Sequence, residues 1–170
     1  MLLQNVQVLG YESCKAGVGV KKLTDTAKLP ERGSQAAGGY DLYADIQENV
    51  IIPAHETVKV GTGLAMSLPE DTVGLIFARS GLATKQGLRP ANCVGVCDPD
   101  YTGEYIVALH NDTDEPQEIE KGDRIAQLIV MPFYPIEFQE VDELEPTERG
   151  DGGFGSTDDQ SKQSIEEITE

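Results

Sequence analysis

The chain has 170 residues and a formal net charge of −17, unevenly spread: residues 1–111 carry 12 acids and 9 bases, residues 112–170 carry 18 acids and 4 bases. This length suits one domain with a sizeable core, and so acidic a second half excludes non-specific nucleic-acid binding through a basic patch. Hydrophobic residues make up 39% of the chain, with 18 Gly, 9 Pro and no Trp, and short apolar runs broken by Gly and Pro point to an all-β fold with a mostly aliphatic core.

The N-terminal residues 1–19 carry one candidate strand, Val6 to Leu9, and no visible chemistry. Residues 20–23 make a second short strand, followed by a loop over residues 24–37 that ends in small side chains. Gly38-Gly39 then precede Tyr40-Asp41-Leu42-Tyr43-Ala44-Asp45, whose alternation predicts a half-buried strand with Tyr40, Leu42 and Ala44 on one face. Asp41 is either a solvated strand residue or an acid that pairs with an arginine. Two short strands are expected around Pro53-Ala54-His55-Glu56, with His55 at the surface, and another over residues 63–68, ended by the turn Pro69-Glu70-Asp71.

A strand over residues 73–77 runs into Ala78-Arg79-Ser80-Gly81. Ser80 is a good N-cap for one helical turn over residues 82–86, closed by Gly87. Two readings stand. Backbone N–H groups, a hydroxyl and a guanidinium together make a phosphate site. Equally, the stretch is a capped helix beside a structural ion pair.

Residues 92–111, NCVGVCDPDYTGEYIVALHN, have the form of a β-hairpin. Val94 and Val96 enter, Tyr105, Ile106, Val107 and Leu109 leave, and the reversal Asp98-Pro99-Asp100-Tyr101-Thr102-Gly103 joins them. A turn needs Pro and Gly, but not two acids and a tyrosine as well. Asp98 sits where a strand ends, held yet able to face a ligand, and Tyr101 offers a flat face beside it. The three cysteines, Cys14, Cys93 and Cys97, are odd in number, and no histidine lies at zinc-ligand spacing from the last two. A disulfide scaffold or zinc site is therefore not expected, and Cys93 and Cys97 read as small buried hydrophobes on one strand face.

Lys121-Gly122-Asp123-Arg124 forms a turn into the apolar strand over residues 125–130, interrupted by Gln127. A buried glutamine must be hydrogen-bonded, so it serves the neighbouring backbone or a ligand. Residues 132–144 read as an irregular strand region and residues 137–148 as an exposed acidic arm. In Arg149-Gly150-Asp151-Gly152-Gly153-Phe154-Gly155-Ser156-Thr157, four glycines in nine residues predict a segment that a ligand orders. Its N–H groups can wrap phosphates and Phe154 can close over a flat ring. Residues 158–170 read as a disordered acidic tail. With no secretory apolar region and no apolar run of about 18 residues, a soluble cytoplasmic protein is the expectation.

Five of these stretches, GGYDLYAD, ARSGLATKQG, NCVGVCDPDYTGEYIVALHN, KGDRIAQLIV and RGDGGFGST, resemble in order and spacing the five motifs of trimeric dUTP pyrophosphatases (dUTPases). The resemblance covers residues 20–157. It implies a distorted jelly-roll (β-clip) subunit with one short helix, assembled as a homotrimer whose active sites are shared between chains. The division implied is an extension (1–19), a β domain (20–148), a lid motif (149–157) and a tail (158–170). The activity implied is hydrolysis of dUTP to dUMP and pyrophosphate, with Mg2+ held by substrate phosphates and no direct protein ligand.

By the same resemblance Asp98 is the general base. Tyr101 packs on the deoxyribose. Asn92 and the backbone around Val96, Cys97 and Ile106 read the uracil. Arg79, Ser80, Gly81 and Gln127 hold phosphates, with Asp41 supporting Arg79. Arg149, Phe154, Gly155, Ser156 and Thr157 close over the nucleotide. Three features depart from the family pattern: the N-terminal extension, Ala37-Gly38 where a polar residue is common, and Asp158 where a glycine is common. The related dCTP deaminases carry a glutamate ten residues after the aspartate and an arginine four after the motif serine, positions held here by Ala108 and Thr84. Phage members of the family that act in signalling often carry an insertion between the third and fourth motifs, where this chain has only residues 112–120.

Overall fold

The computed structural model describes residues 17–153. The strand expected at Val6 to Leu9, the Phe154-Gly155-Ser156-Thr157 end of the glycine-rich motif and the 158–170 tail lie outside the described residues. Eleven strands and one helix follow in order: β1 (Gly19–Lys22), β2 (Glu31–Arg32), β3 (Tyr40–Tyr43), β4 (Val50–Ile52), β5 (Thr57–Ser67), β6 (Thr72–Phe77), α1 (Ser80–Gln86), β7 (Leu88–Pro90), β8 (Val94–Cys97), β9 (Glu104–Asn111), β10 (Gln117–Ile119) and β11 (Arg124–Pro132).

All pairings are antiparallel. One sheet has the order β1-β5-β9-β7, a second β2-β3-β11-β6-β8, and β10 pairs with β4 alone. The order skips back and forth along the chain, as a distorted jelly-roll requires. Inward residues of the sheets share one aliphatic core, with Leu42, Ile52, Val60, Leu88, Leu109 and Ile125 all at 0% exposure. Strand β9 shows the cause: Tyr105, Val107, Leu109 and Asn111 point in, while Ile106 points out. Asn111 is tolerated inside because its amide donates to Ile52 O (3.1 Å) and Glu115 O (2.8 Å), and its Oδ1 accepts from Thr113 N (2.9 Å).

Several expectations give way. The separate strands expected before and after residue 61 are one eleven-residue strand, β5, broken only by a bulge between Gly61 and Ala65. The bulge is pinned from β9: Thr62 Oγ1 donates to Tyr105 O (2.6 Å), and Glu104 Oε1 accepts from Gly63 N (2.8 Å). Gly63 has φ +64°, and an added Cβ would meet the Asp45 carboxylate and lie 2.9 Å from Ala27 Cβ. Gly63→Ala is therefore expected to destabilise the fold by about 1–3 kcal/mol, read as a lowered urea midpoint at unchanged slope.

In β3 the simple alternation fails at its ends. Tyr40 is 38% exposed and Tyr43 only 7%. The Tyr43 ring lies under Lys28 Nζ (3.9 Å) and its hydroxyl donates to Glu31 (3.2 Å), so the preceding loop covers it. Ser80 is not the helix cap. Arg79 occupies the cap position without a side-chain bond, and Ser80 is the first helical residue. Gly87 closes the helix in the left-handed region (φ 63°) as expected. Cys97 is buried, but Cys93 is exposed, because it belongs to the turn before β8, where its φ is +64°.

The largest correction concerns residues 92–111. Among the described residues β8 and β9 share no ladder: β8 pairs with β6, and β9 with β5 and β7. The reversal over residues 98–103 therefore carries the chain from one sheet to the other. It is an arch, not a hairpin. The regular strand after residue 124 stops at Pro132, and no strand forms over residues 133–144.

The chain divides into two units at residue 135, and the strands and helix all belong to the first. The described part of the second, residues 136–153, has no strand or helix. Its one ordered feature is a turn in which Gly150 N donates to Thr147 O (3.1 Å) and Gly152 N to Arg149 O (3.1 Å).

Candidate active site

The arch creates a cleft. Two strands that hydrogen-bond to each other leave no room between them, whereas strands from two sheets face each other through side chains. Between β8 and β9 lies a pocket of about 250 Å³ lined by Asn92, Val96, Asp98, Tyr101 and Ile106, with Cys97 and Tyr105 among its buried walls. Asp98 follows the last residue of β8, so the sheet holds its backbone while its side chain is free. The turn beyond it is closed by Tyr101 N donating to Asp98 O (3.1 Å) and by Tyr101 Oη donating to Glu104 O (2.9 Å). Gly103 is required here, since a Cβ would come within 2.6 Å of Tyr101 Oη.

The Tyr101 ring is thereby presented edge-fixed and 45% exposed, backed by the Tyr105 ring at 6.0 Å and 46°. Val96 (63% exposed) and Ile106 (47%) give the cleft apolar sides. Burial pushes the Cys97 thiol and the Tyr105 hydroxyl upward from their ordinary values. Both stay neutral at neutral pH, and the carboxylates that line the cleft are Asp98 and Glu104, the second of which accepts from Gly63 N (2.8 Å).

A second pocket, about 310 Å³, is polar and is lined by Ala37, Gly38, Gly39, Asp41, Arg79, Ser80, Arg124 and Gln127. Strand β3 brings Asp41, the start of α1 brings Arg79 at its cap and Ser80, and β11 brings Arg124 and Gln127. The Asp41 carboxylate, 13% exposed, accepts from Arg79 Nε (2.8 Å) and Arg124 Nη1 (3.3 Å). Arg79 Nη1 also donates to Arg124 O (3.3 Å). One carboxylate thus holds two guanidiniums side by side, which their mutual repulsion would otherwise prevent. Gln127 Nε2 donates to Ala78 O (2.8 Å), which ties β11 to the chain just before Arg79.

Reasoning from the sequence missed Arg124. It stands in the KGDRIAQ stretch that was read only as a turn into a strand. The signal lay in Asp41, since a carboxylate has two oxygens and can take two cationic partners. Gly81 lies in α1, exposed, beside Ser80. Arg149 belongs to the second unit, where its Nε donates to Gly152 O (2.8 Å). His55 is a surface residue, bonded through Nε2 to Asp114 (2.9 Å).

Among the described residues no three His, Cys, Asp or Glu side chains converge as a metal cage. Of the carboxylates near the two pockets, Asp41 is engaged by two arginines, and Glu104 Oε1 accepts from Gly63 N beside Asp98 in the arch cleft. No helix among the described residues is long and apolar enough to cross a membrane.

One all-β scaffold thus carries an arch cleft with Asp98 beside the Tyr101 ring and a polar pocket in which Asp41 holds Arg79 and Arg124. The dUTPase family profile matches residues 25–158. Deoxyuridine 5'-triphosphate nucleotidohydrolase of Desulfitobacterium hafniense is 45% identical over 146 residues, covering 85% of this chain and 97% of that protein. The enzyme of the same name from Paramecium bursaria Chlorella virus 1 is 46% identical over 138 residues, covering 81% and 95%. Among solved structures, the Staphylococcus bacteriophage 80alpha dUTPase with dUpNHpp superposes with a TM-score of 0.75 at 32% identity, covering 82% of this chain and 97% of that one. The chain belongs to the dUTPase family.

Proposed function

We propose that the enzyme hydrolyses dUTP to dUMP and pyrophosphate by attack of water on the α-phosphate, with Asp98 as the base that orients that water and takes its proton. The observation that carries this reading is the position of Asp98, anchored by the end of β8 and standing in one cleft with the Tyr101 ring. Phosphoryl transfer needs positioning and charge stabilisation more than covalent chemistry. Each half of the site supplies one of these.

The nucleoside occupies the arch cleft. Asn92 and the backbone at Val96, Cys97 and Ile106 read the uracil edge, and Tyr101 lies against the deoxyribose where a 2′-hydroxyl would collide. The phosphates take donors from Arg79, Ser80, Gly81 and Gln127, with Asp41 keeping Arg79 in place and Arg124 adding the second cation. A divalent cation carried by the triphosphate would supply charge neutralisation there, beside the guanidiniums of Arg79 and Arg124. Arg149, Phe154, Gly155, Ser156 and Thr157 close over the nucleotide. The working assembly is a homotrimer with shared sites, as membership of the dUTPase family implies. The physiological outcome is less dUTP available for DNA and more dUMP for thymidylate synthesis, in the cytoplasm.

Pyrophosphate release from dUTP, UTP, dCTP and dTTP tests the reading. dUTP is expected to exceed UTP in kcat/KM by about a hundredfold or more, since steric exclusion of a hydroxyl and its lost hydration act together. Comparable use of UTP and dUTP would remove Tyr101 from its role. Ammonia release from dCTP would replace hydrolysis with deamination.

A further inference from the structure

We propose that Arg89 is a positioning residue for nucleobase recognition: its guanidinium holds the turn over residues 90–93 so that Asn92 faces the arch cleft. The inference rests on Asn92 reading the base, as set out above.

Ala91, Asn92 and Cys93 are all exposed, so no buried apolar side chain fixes their turn. Cys93 sits at φ +64°, a conformation that a non-glycine residue adopts only when its surroundings hold it. The backbone contributes two short-range bonds, Cys93 N to Pro90 O (3.0 Å) and Val94 N to Asn92 O (2.7 Å). Ala91 N also donates to Ala108 O of β9 (2.8 Å), and Arg89 adds the side-chain anchor at the Asn92 end of the turn. Its Nε and Nη2 donate to the two oxygens of Asp112 (2.7 and 3.0 Å). Its Nη1 faces Pro90 O (3.3 Å), Ala91 O (3.5 Å) and Cys93 Sγ (4.0 Å).

The anchor end is well founded. Asp112 directly follows β9, and β7 pairs with β9 so that Arg89 lies opposite His110. His110 Nε2 is 3.4 Å from Asp112 Oδ1, while its Nδ1 is bonded to Thr57 Oγ1 (3.0 Å). The Arg89 charge holds the Asp112 carboxyl below its usual range, so the pair stays ionised at neutral pH. An ordinary surface ion pair contributes little, and it has no cause to direct its third nitrogen at the carbonyls of a neighbouring turn. The planar fork is what permits both at once: two nitrogens face the acid and the third faces back along the chain, which a lysine cannot do.

The test is a double-mutant cycle on the full chain with dUTP, comparing Arg89→Ala, Asn92→Ala and the pair, with Arg89→Lys and the isosteric Asp112→Asn alongside. Arg89→Ala is expected to raise KM about fivefold with kcat within about twofold, and Arg89→Lys to behave like it. Asp112→Asn should raise KM in the same direction and serves if Arg89→Ala folds poorly. If Arg89 acts through Asn92, the double variant is no worse than Asn92→Ala alone. Additive effects, an unchanged KM in both Arg89→Ala and Asp112→Asn, or an Asn92→Ala variant with normal KM each overturn the proposal while leaving dUTP hydrolysis intact. Absence of dUTP turnover in the unaltered protein overturns both.

Discussion

Asp98→Asn is expected to lower kcat for dUTP by about 10²–10⁴-fold, a rise of roughly 3–5 kcal/mol in the barrier, while the fold stays intact. The side chain keeps its shape and loses only the capacity to take a proton. Its place at the tip of the arch explains why stability is spared. The tip is tied by Tyr101 N to the Asp98 carbonyl and by Tyr101 Oη to the Glu104 carbonyl, and neither bond uses the carboxylate. Thermal unfolding within a few degrees of the parent, together with near-normal binding of a non-hydrolysable dUTP analogue, is the accompanying result. A variant that melts far below the parent would show that the carboxylate holds the arch together, and Asp98 would lose its catalytic assignment.

Removal of residues 149–170 is expected to cut kcat/KM by about 10²-fold or more, whereas removal of residues 158–170 leaves it near the parent value, because only the longer deletion takes Arg149 and the glycine-rich motif. Arg149 spends one donor locally, on Gly152 O. Delivering its guanidinium to a phosphate exchanges one bond to a neutral carbonyl for paired bonds to an anion, a favourable exchange. Sedimentation should give about three times its own chain mass for each truncated protein, since the strands of the described residues lie before residue 135. Equal loss of activity from the two deletions would move the function from the motif to the tail.

Several turns and side-chain placements were legible because they are local. Asp98, Pro99, Tyr101 and Gly103 announce a rigid turn bearing a carboxylate and a ring, and a short segment dictates its own turn geometry. Gln127 in an apolar strand announced an amide in need of a partner, and although it is only half-buried, Ala78 O supplies one. Gly87 ended a helix where a left-handed residue was needed. The errors fell where a residue's state depends on what lies across from it. Cys93 and Cys97 share a spacing that fits one strand face, yet one is exposed because the strand begins only at Val94. Tyr43 was placed on the solvent side, but a loop twelve residues upstream covers it.

By itself, then, the sequence determined the all-β class, the one short helix and several of the strands and turns, because period-2 patterning and turn chemistry act between near neighbours. Only the tertiary structure decided that residues 92–111 form an arch between two sheets. A strand's own residues show that it will pair, not with which partner, and β8 and β9 each found a distant one. That choice opens the cleft that a hairpin would have closed. It also decided that Asp41 serves two arginines, 38 and 83 residues away in the chain, and that Arg89 meets Asp112 across 23. Contacts at such separations arise from the packing of sheets, and no local pattern encodes them.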